Sequence, residues 1–111
     1  EFDYLPFGDE VELVVERTRL KAKVAKALVK LAGETRRMAA NGEVPGVIDT
    51  RSLLNWAAKC QRANAVSVAD VMAQARLSWA DIVCGRDGLG KVQTGVFDAL
   101  SDYLTTQGAL P

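Results

Sequence analysis

The sequence predicts a small all-α protein, an antiparallel bundle of about five helices preceded by a short extended N-terminal segment. Apolar residues recur every three or four positions in several segments, which is the helical period. Short runs rich in Gly, Pro and Asn separate these segments, so neighbouring helices should run antiparallel. The chain has 111 residues, 49% of them hydrophobic, enough for one domain with one core.

The N-terminal part divides into an extended segment and the start of the helical domain. Residues 1–8 are predicted to be extended, because Phe2 to Phe7 alternate loosely and Pro6 favours extended backbone before it. We expect the helical domain to span residues 9–107 and a tail to span 108–111. Asp9 is predicted to be the N-cap of the first helix, with Glu10 in the favourable field of the helix dipole. The predicted buried stripe of this helix is Val11, Val14, Val15 and Thr18.

A long second helix is predicted over residues 21–40, and Asn41-Gly42 supplies its left-handed stop. Its predicted core face is Val24, Leu28, Leu31, Thr35 and Met38. Its basic residues are Lys23, Lys26, Lys30, Arg36 and Arg37. Such a run is more typical of a solvated helix face, although a binding surface is the alternative.

The third and fourth helices follow a loop that contains Pro45 and Gly46. Asp49 and Ser67 are the predicted N-caps of these two helices. The predicted stripe of the third is Leu53, Trp56, Ala57 and Cys60, and that of the fourth is Val68, Val71, Met72, Ala75, Trp79 and Ile82. Both tryptophans fall on apolar stripes, which favours core packing over a role in binding.

A last helix is predicted after the glycine-rich segment 85–90. Its predicted inner side is Val92, Val96, Leu100, Tyr103 and Leu104, and we expect the chain to fray from Thr105. The glycine-rich segment resembles a phosphate loop only superficially. A helix precedes it, and Val92 stands where a Ser or Thr would bind magnesium. We therefore interpret it as a helix stop.

The composition argues against a self-contained active site. The chain has no histidine, and its two cysteines lack partners for a metal site. Asp98 and Asp102 share a helix face and are predicted to be solvated. Cys60 and Cys84 are interpreted as small core residues of a reduced, cytoplasmic protein.

Charge and hydropathy also narrow the partners. Lys and Arg number 14 against 14 Asp and Glu, which disfavours nucleic acid as a partner. No apolar run approaches the ~20 residues that span a bilayer, so no membrane association is expected. We interpret the start at Glu1, without a signal peptide, as lying inside a longer polypeptide.

Arg51 is the one candidate binding residue. It lies in the predicted first turn of the third helix, where the dipole mildly disfavours a cation. An arginine at a helix start suits an anion, because the guanidinium and the helix amides can converge on it. The alternative is a surface salt bridge.

The order of these features resembles the C-terminal lid of AAA+ ATPases, especially the MoxR-type and dynein-related (midasin-like) branch. The resemblance covers residues 1–85. It rests on the extended Phe2-Asp3-Tyr4-Leu5-Pro6 segment, an acidic start to the first helix, a long second helix, a Pro/Gly loop, and Asp49-Thr50-Arg51-Ser52-Leu53-Leu54.

The resemblance implies that Arg51 is the sensor-2 arginine, which reaches the γ-phosphate of ATP bound in a separate core. The Walker motifs, sensor 1 and the arginine finger would then lie upstream of Glu1. The parent protein would be an ATPase that uses ATP and Mg²⁺, whereas the isolated domain would bind neither and would be inactive. The implied partners are the upstream AAA+ core of the same chain, neighbouring subunits of a ring, and a von Willebrand A-domain protein.

Two other functions remain open from the residues alone. A helix-turn-helix DNA-binding module fits the short turn between the third and fourth helices, with Gln74 and Arg76 as its only base readers. A helical adaptor with no link to nucleotide is the other.

Overall fold

The computed structural model describes residues 4–85, 94–108 and 110, and these residues form six helices and no strand. The helices are α1 (Phe7–Thr18), α2 (Ala22–Ala40), α3 (Thr50–Arg62), α4 (Val68–Ala75), α5 (Ala80–Cys84) and α6 (Thr94–Gln107). The all-α class is therefore confirmed.

One continuous core joins the helices. Helix α2 packs against α1, α3 and α6, while α6 also covers α4 and α5. The predicted stripe of α3 is confirmed, with all four members fully buried: Leu53, Trp56, Ala57 and Cys60. The stripe of α2 is also confirmed, because four of its five members are at most 3% exposed and Met38 is partly buried against the same core.

Helix α1 begins at Phe7, so the prediction of Asp9 as its N-cap is wrong. Pro6 is the cap residue, and its carbonyl oxygen accepts from the Glu10 amide at 2.9 Å. The fixed φ of proline, here −54°, already suits the approach to a helix. Asp9 therefore lies inside the first turn and makes no side-chain cap bond.

The predicted stop of α2 is confirmed. Gly42 adopts φ 75°, in the left-handed region. Its amide donates to the Ala39 carbonyl at 3.0 Å, and the Glu43 amide donates to the Met38 carbonyl at 2.8 Å. The last carbonyls of the helix are satisfied in this way.

The predicted fourth helix is divided into α4 and α5, which corrects the prediction for Ile82. The amides of Leu77 and Ser78 donate to carbonyls three residues earlier, both at 3.1 Å. Such bonds turn the chain by about 120° per residue instead of about 100°, so α5 starts in a new phase. Val83 is fully buried as a result, and Ile82 is 57% exposed.

The end of the C-terminal helix is better ordered and anchored than predicted. Its buried residues are Phe97, Leu100 and Leu104. The expected fraying from Thr105 is wrong, because the helix continues to Gln107 and Leu110 is only 7% exposed. Gly108 permits this docking, since a Cβ there would lie 2.7 Å from the Leu104 carbonyl oxygen. Residues 86–93, which include Val92 and all of the glycine-rich segment except Gly85, lie outside the described residues.

The cysteines are unpaired and buried, as predicted. Burial raises the pKa of the Cys60 thiol to about 12 and that of Cys84 to about 11. Both thiols are therefore protonated at neutral pH and weakly nucleophilic.

Two carboxylates of α6 lie at the surface. Asp98 and Asp102 are exposed, as predicted. In the described part of the chain, no group of three His, Cys, Asp or Glu residues could hold a metal ion. The helices described there are too short or too polar to cross a membrane.

Candidate functional site at the amino end of helix α3

The first turn of α3 is held by two hydrogen bonds to Asp49 and by one buried side chain. The Asp49 carboxylate accepts from the Ser52 amide at 2.8 Å, which confirms Asp49 as the N-cap. The Asp49 carbonyl accepts from the Leu53 amide at 2.9 Å. Leu53 itself is fully buried. The turn thus has one orientation relative to the core.

Arg51 is exposed at the surface of this turn. It lies two residues before Leu53 and so about 200° around the helix from that buried side chain. Its side chain makes no hydrogen bond or ion pair with any other residue in the described ranges. Because the Asp49 carboxylate already uses the Ser52 amide, an incoming anion would meet the guanidinium rather than a full set of helix amides.

A buried ion pair lies beneath the same turn. The Arg36 guanidinium binds both oxygens of the Glu10 carboxylate, Nη1 to Oε1 at 2.8 Å and Nη2 to Oε2 at 2.9 Å. The side chains are 12% and 2% exposed. This two-point geometry is the strong form of the Arg–carboxylate interaction and holds both planes in a fixed orientation.

The ion pair also binds the backbone of the residue before Asp49 and the side chain of the residue after it. Arg36 Nε donates to the Ile48 carbonyl oxygen at 3.0 Å. Thr50 Oγ1 donates to Glu10 Oε2 at 3.3 Å. The residues immediately before and after the α3 cap are therefore both hydrogen-bonded to one pair of charged side chains.

Two further contacts complete this cluster. The Ile48 amide donates to Thr35 Oγ1 at 3.1 Å, so both backbone groups of Ile48 are bonded to α2. The Tyr4 ring lies over the Arg36 guanidinium, 3.7 Å from its carbon to the ring centroid. We call Tyr4, Glu10, Arg36, Ile48 and Thr50 the junction, because it joins the N-terminal segment, α1, α2 and the start of α3.

Sequence reasoning missed the roles of Glu10 and Arg36. It predicted a favourable interaction of Glu10 with the helix dipole and a solvated position for Arg36. A usable signal was present, because Glu10 precedes the buried Val14 by one helical turn, and Arg36 follows the buried Ala32 by one turn. Two opposite charges on the buried sides of neighbouring helices indicate a pair.

The other basic residues of α2 are solvent-facing. Lys23, Lys26 and Lys30 are exposed. Arg37 pairs with Glu34 at 2.8 Å and with Glu43 at 3.6 Å, and its hydrogen bonds hold the pKa of the Glu34 carboxyl below its usual value. The predicted solvated face is confirmed for these four residues, and the prediction is wrong for Arg36.

Helix α4 does not present the reading surface that a helix-turn-helix module would need. Of its two predicted base readers, Gln74 is half-buried, and the Arg76 guanidinium stacks on the Phe97 ring at 4.1 Å. The exposed positions on α4 are Ala69, Asp70 and Ala73. This surface is small and acidic, which does not suit a polyanion.

The chain matches a known protein-family model over most of its helices. Residues 10–82, about two thirds of the chain, match the family model described as CbbQ/NirQ/NorQ C-terminal. The matched range contains Glu10, Arg36 and Arg51, whereas α6 lies outside it. No curated protein and no solved structure matches the chain significantly.

Proposed function

Because the chain belongs to the CbbQ/NirQ/NorQ C-terminal family, the C-terminal lid of MoxR-type AAA+ ATPases, we propose that it senses ATP through Arg51. In this proposal the nucleotide is the substrate of a core that precedes the lid in the full-length protein. The lid contributes the sensor-2 arginine. The relation to the dynein-related branch stays a prediction.

The observation that carries the proposal is the placement of Arg51. Its guanidinium is exposed and unengaged by the described residues, while the helix turn that bears it is fixed by Asp49, Leu53 and the junction. A rigid support with a free cation at its tip is suited to bind an anion supplied by another domain.

The chemistry follows from the charge of the guanidinium. During phosphoryl transfer, negative charge spreads over the oxygens of the transferred group. A positioned Arg51 would stabilise that charge with no general acid or base in the lid. Binding of the γ-phosphate would also favour lid orientations that bring Arg51 close, so that hydrolysis is coupled to rotation of the lid.

The remaining partners are part of the same proposal. The Mg²⁺ ion that accompanies ATP would be held by the core. Neighbouring subunits of a cytoplasmic ring and a von Willebrand A-domain protein are the proposed protein partners.

Replacement of Arg51 tests the proposal in the full-length ATPase. We expect Arg51→Ala to lower kcat for ATP hydrolysis about a hundredfold, because one charge-stabilising donor is lost from the transition state. The melting temperature should not change, since the Arg51 side chain is exposed and makes no hydrogen bond or ion pair with the described residues. Steady-state ATPase kinetics and differential scanning calorimetry measure the two quantities.

The matched control is Arg62→Ala, which removes an exposed arginine from the other end of the same helix. This variant should retain full turnover. If Arg51→Ala also retained full turnover, the sensor-2 assignment would be wrong, although the family assignment would stand.

A further inference from the structure

The junction connects the N-terminal segment to the helix turn that carries Arg51. Arg36 uses three donors and one ring face at once: Nη1 and Nη2 on Glu10, Nε on Ile48, and its plane against Tyr4. A lysine ammonium could not make this set of contacts, because it has neither the fork nor the plane.

The Arg36–Glu10 pair binds residues on both sides of Asp49, the cap of α3. Ile48 lies directly before the cap of α3, and Thr50, which donates to Glu10, directly precedes Arg51. The same pair therefore restrains the backbone before the cap and the side chain after it. A shift of α1 or α2 relative to α3 would have to break one of these bonds or carry Arg51 along.

Stability alone is a weak reason for such an arrangement. Apolar residues of similar volume can often replace a buried ion pair without loss of stability, because removing two charges from water is costly. The directional bonds of the pair restrain the orientation of its partners more narrowly than apolar contacts do. The role that distinguishes this pair from apolar packing is therefore the positioning of the start of α3.

We propose that Arg36 and Glu10 are positioning residues for Arg51, which hold the start of α3 in register with the N-terminal segment through Tyr4. This inference rests on the proposed function of Arg51. Neither side chain is required to touch the nucleotide, and their effect on turnover passes entirely through the placement of Arg51.

The test is a double-mutant cycle in the full-length ATPase, combining Glu10→Leu/Arg36→Met with Arg51→Ala. Both junction charges are removed together, so that neither is left buried and unpaired. We expect kcat to fall about tenfold, because displacement of a catalytic group by even ~1 Å is costly. KM for ATP should stay within about threefold.

The decisive readout is the variant that carries all three changes. If the junction acts through Arg51, that variant should be no slower than Arg51→Ala alone. A purely structural role would lower the active fraction in both backgrounds, so the two losses would multiply. Multiplied losses would overturn the proposal.

Other outcomes separate this inference from the proposed function. Wild-type turnover in Glu10→Leu/Arg36→Met, together with impaired Arg51→Ala, would overturn the positioning role and leave the sensor assignment intact. Wild-type turnover in Arg51→Ala would overturn the sensor assignment itself.

Two additional variants guard against misfolding and nonspecific charge effects. Arg36→Lys keeps a positive charge beside Glu10 but loses the two-point geometry and the bond to Ile48. If Glu10→Leu/Arg36→Met does not fold, the double-mutant cycle is measured with Arg36→Lys in its place. Arg37→Met is the matched control, since Arg37 is the adjacent arginine and its side chain is 54% exposed. It should leave kcat within about twofold.

Discussion

The junction and the aromatic side of the core hold their helices together by different physical means. In the junction, two charged side chains meet in a fixed two-point geometry and bond to the backbone around the α3 cap. On the other side, Trp56 and Trp79 pack edge to face with ring centroids 5.1 Å apart, and Trp79 lies 6.4 Å from Phe97. Both tryptophans are fully buried.

The two regions differ in how much free energy they contribute and in how strongly they fix the orientation of their helices. Burial of large aromatic side chains contributes much free energy but constrains orientation weakly. The charged pair has a high desolvation cost and contributes less net free energy, but it constrains orientation strongly. We infer that the aromatic side stabilises the bundle and that the junction determines how the start of α3 is presented.

The largest expected effect on stability is from loss of the central tryptophan. Trp79→Ala should lower the free energy of unfolding by about 4 kcal/mol, because it removes contacts with both Trp56 and Phe97 and leaves a cavity. Urea-induced unfolding followed by circular dichroism measures this change. Trp79→Phe should cost clearly less, since a ring remains and Trp79 Nε1 has no hydrogen-bond partner among the described residues. A loss below about 1 kcal/mol for the alanine variant would contradict the central role of this side chain.

A somewhat smaller effect is expected from breaking the junction on one side only. Arg36→Ala should lower the free energy of unfolding by about 3 kcal/mol, because it leaves the Glu10 carboxylate buried without its partner. The double replacement Glu10→Leu/Arg36→Met should lie within about 1 kcal/mol of the wild type. The same urea experiment compares the two variants. Equal losses in both would show that the pair contributes chiefly packing.

The smallest effects on stability are expected from removing one helix cap on each side of the molecule. Asp49→Ala removes the cap of α3, where the carboxylate accepts at 2.8 Å, and Ser67→Ala removes the cap of α4, where the hydroxyl accepts at 3.1 Å. Each should cost about 1 kcal/mol. We expect the Asp49 variant to lose more, because its charge also interacts with the helix dipole. The reverse order in chemical unfolding would show that the α3 cap is supported mainly by the junction.

Much of the fold could be predicted because helical periodicity and capping are local. Asp49 and Ser67 were identified as caps from their own sequence context, and the apolar stripes of α2 and α3 follow from residue spacing alone. Gly42 is another local signal, because few other residues adopt its backbone conformation readily. The candidate Arg51 was likewise found from its place in a helix start and from the order of the surrounding segments.

Some of the errors involve contacts between distant segments, and others involve local turns of the backbone. The break between α4 and α5 changes the helical phase, so Val83 is buried where apolar spacing alone favoured Ile82. The docking of Leu110 depends on close approach at Gly108, which a composition rich in polar residues and glycine did not indicate. Asp9 has the chemistry of an N-cap, but Pro6 begins the helix one turn earlier.

The sequence by itself determined the helical class, the main apolar stripes and the candidate cation at the start of α3. These depend on the period of the helix and on side chains within a few residues of each other. Only the tertiary structure decided that Glu10 and Arg36 meet beneath that turn. Their 26-residue separation is closed by the packing of α1 on α2, and it is this packing that withdraws both charges from water and gives them one geometry.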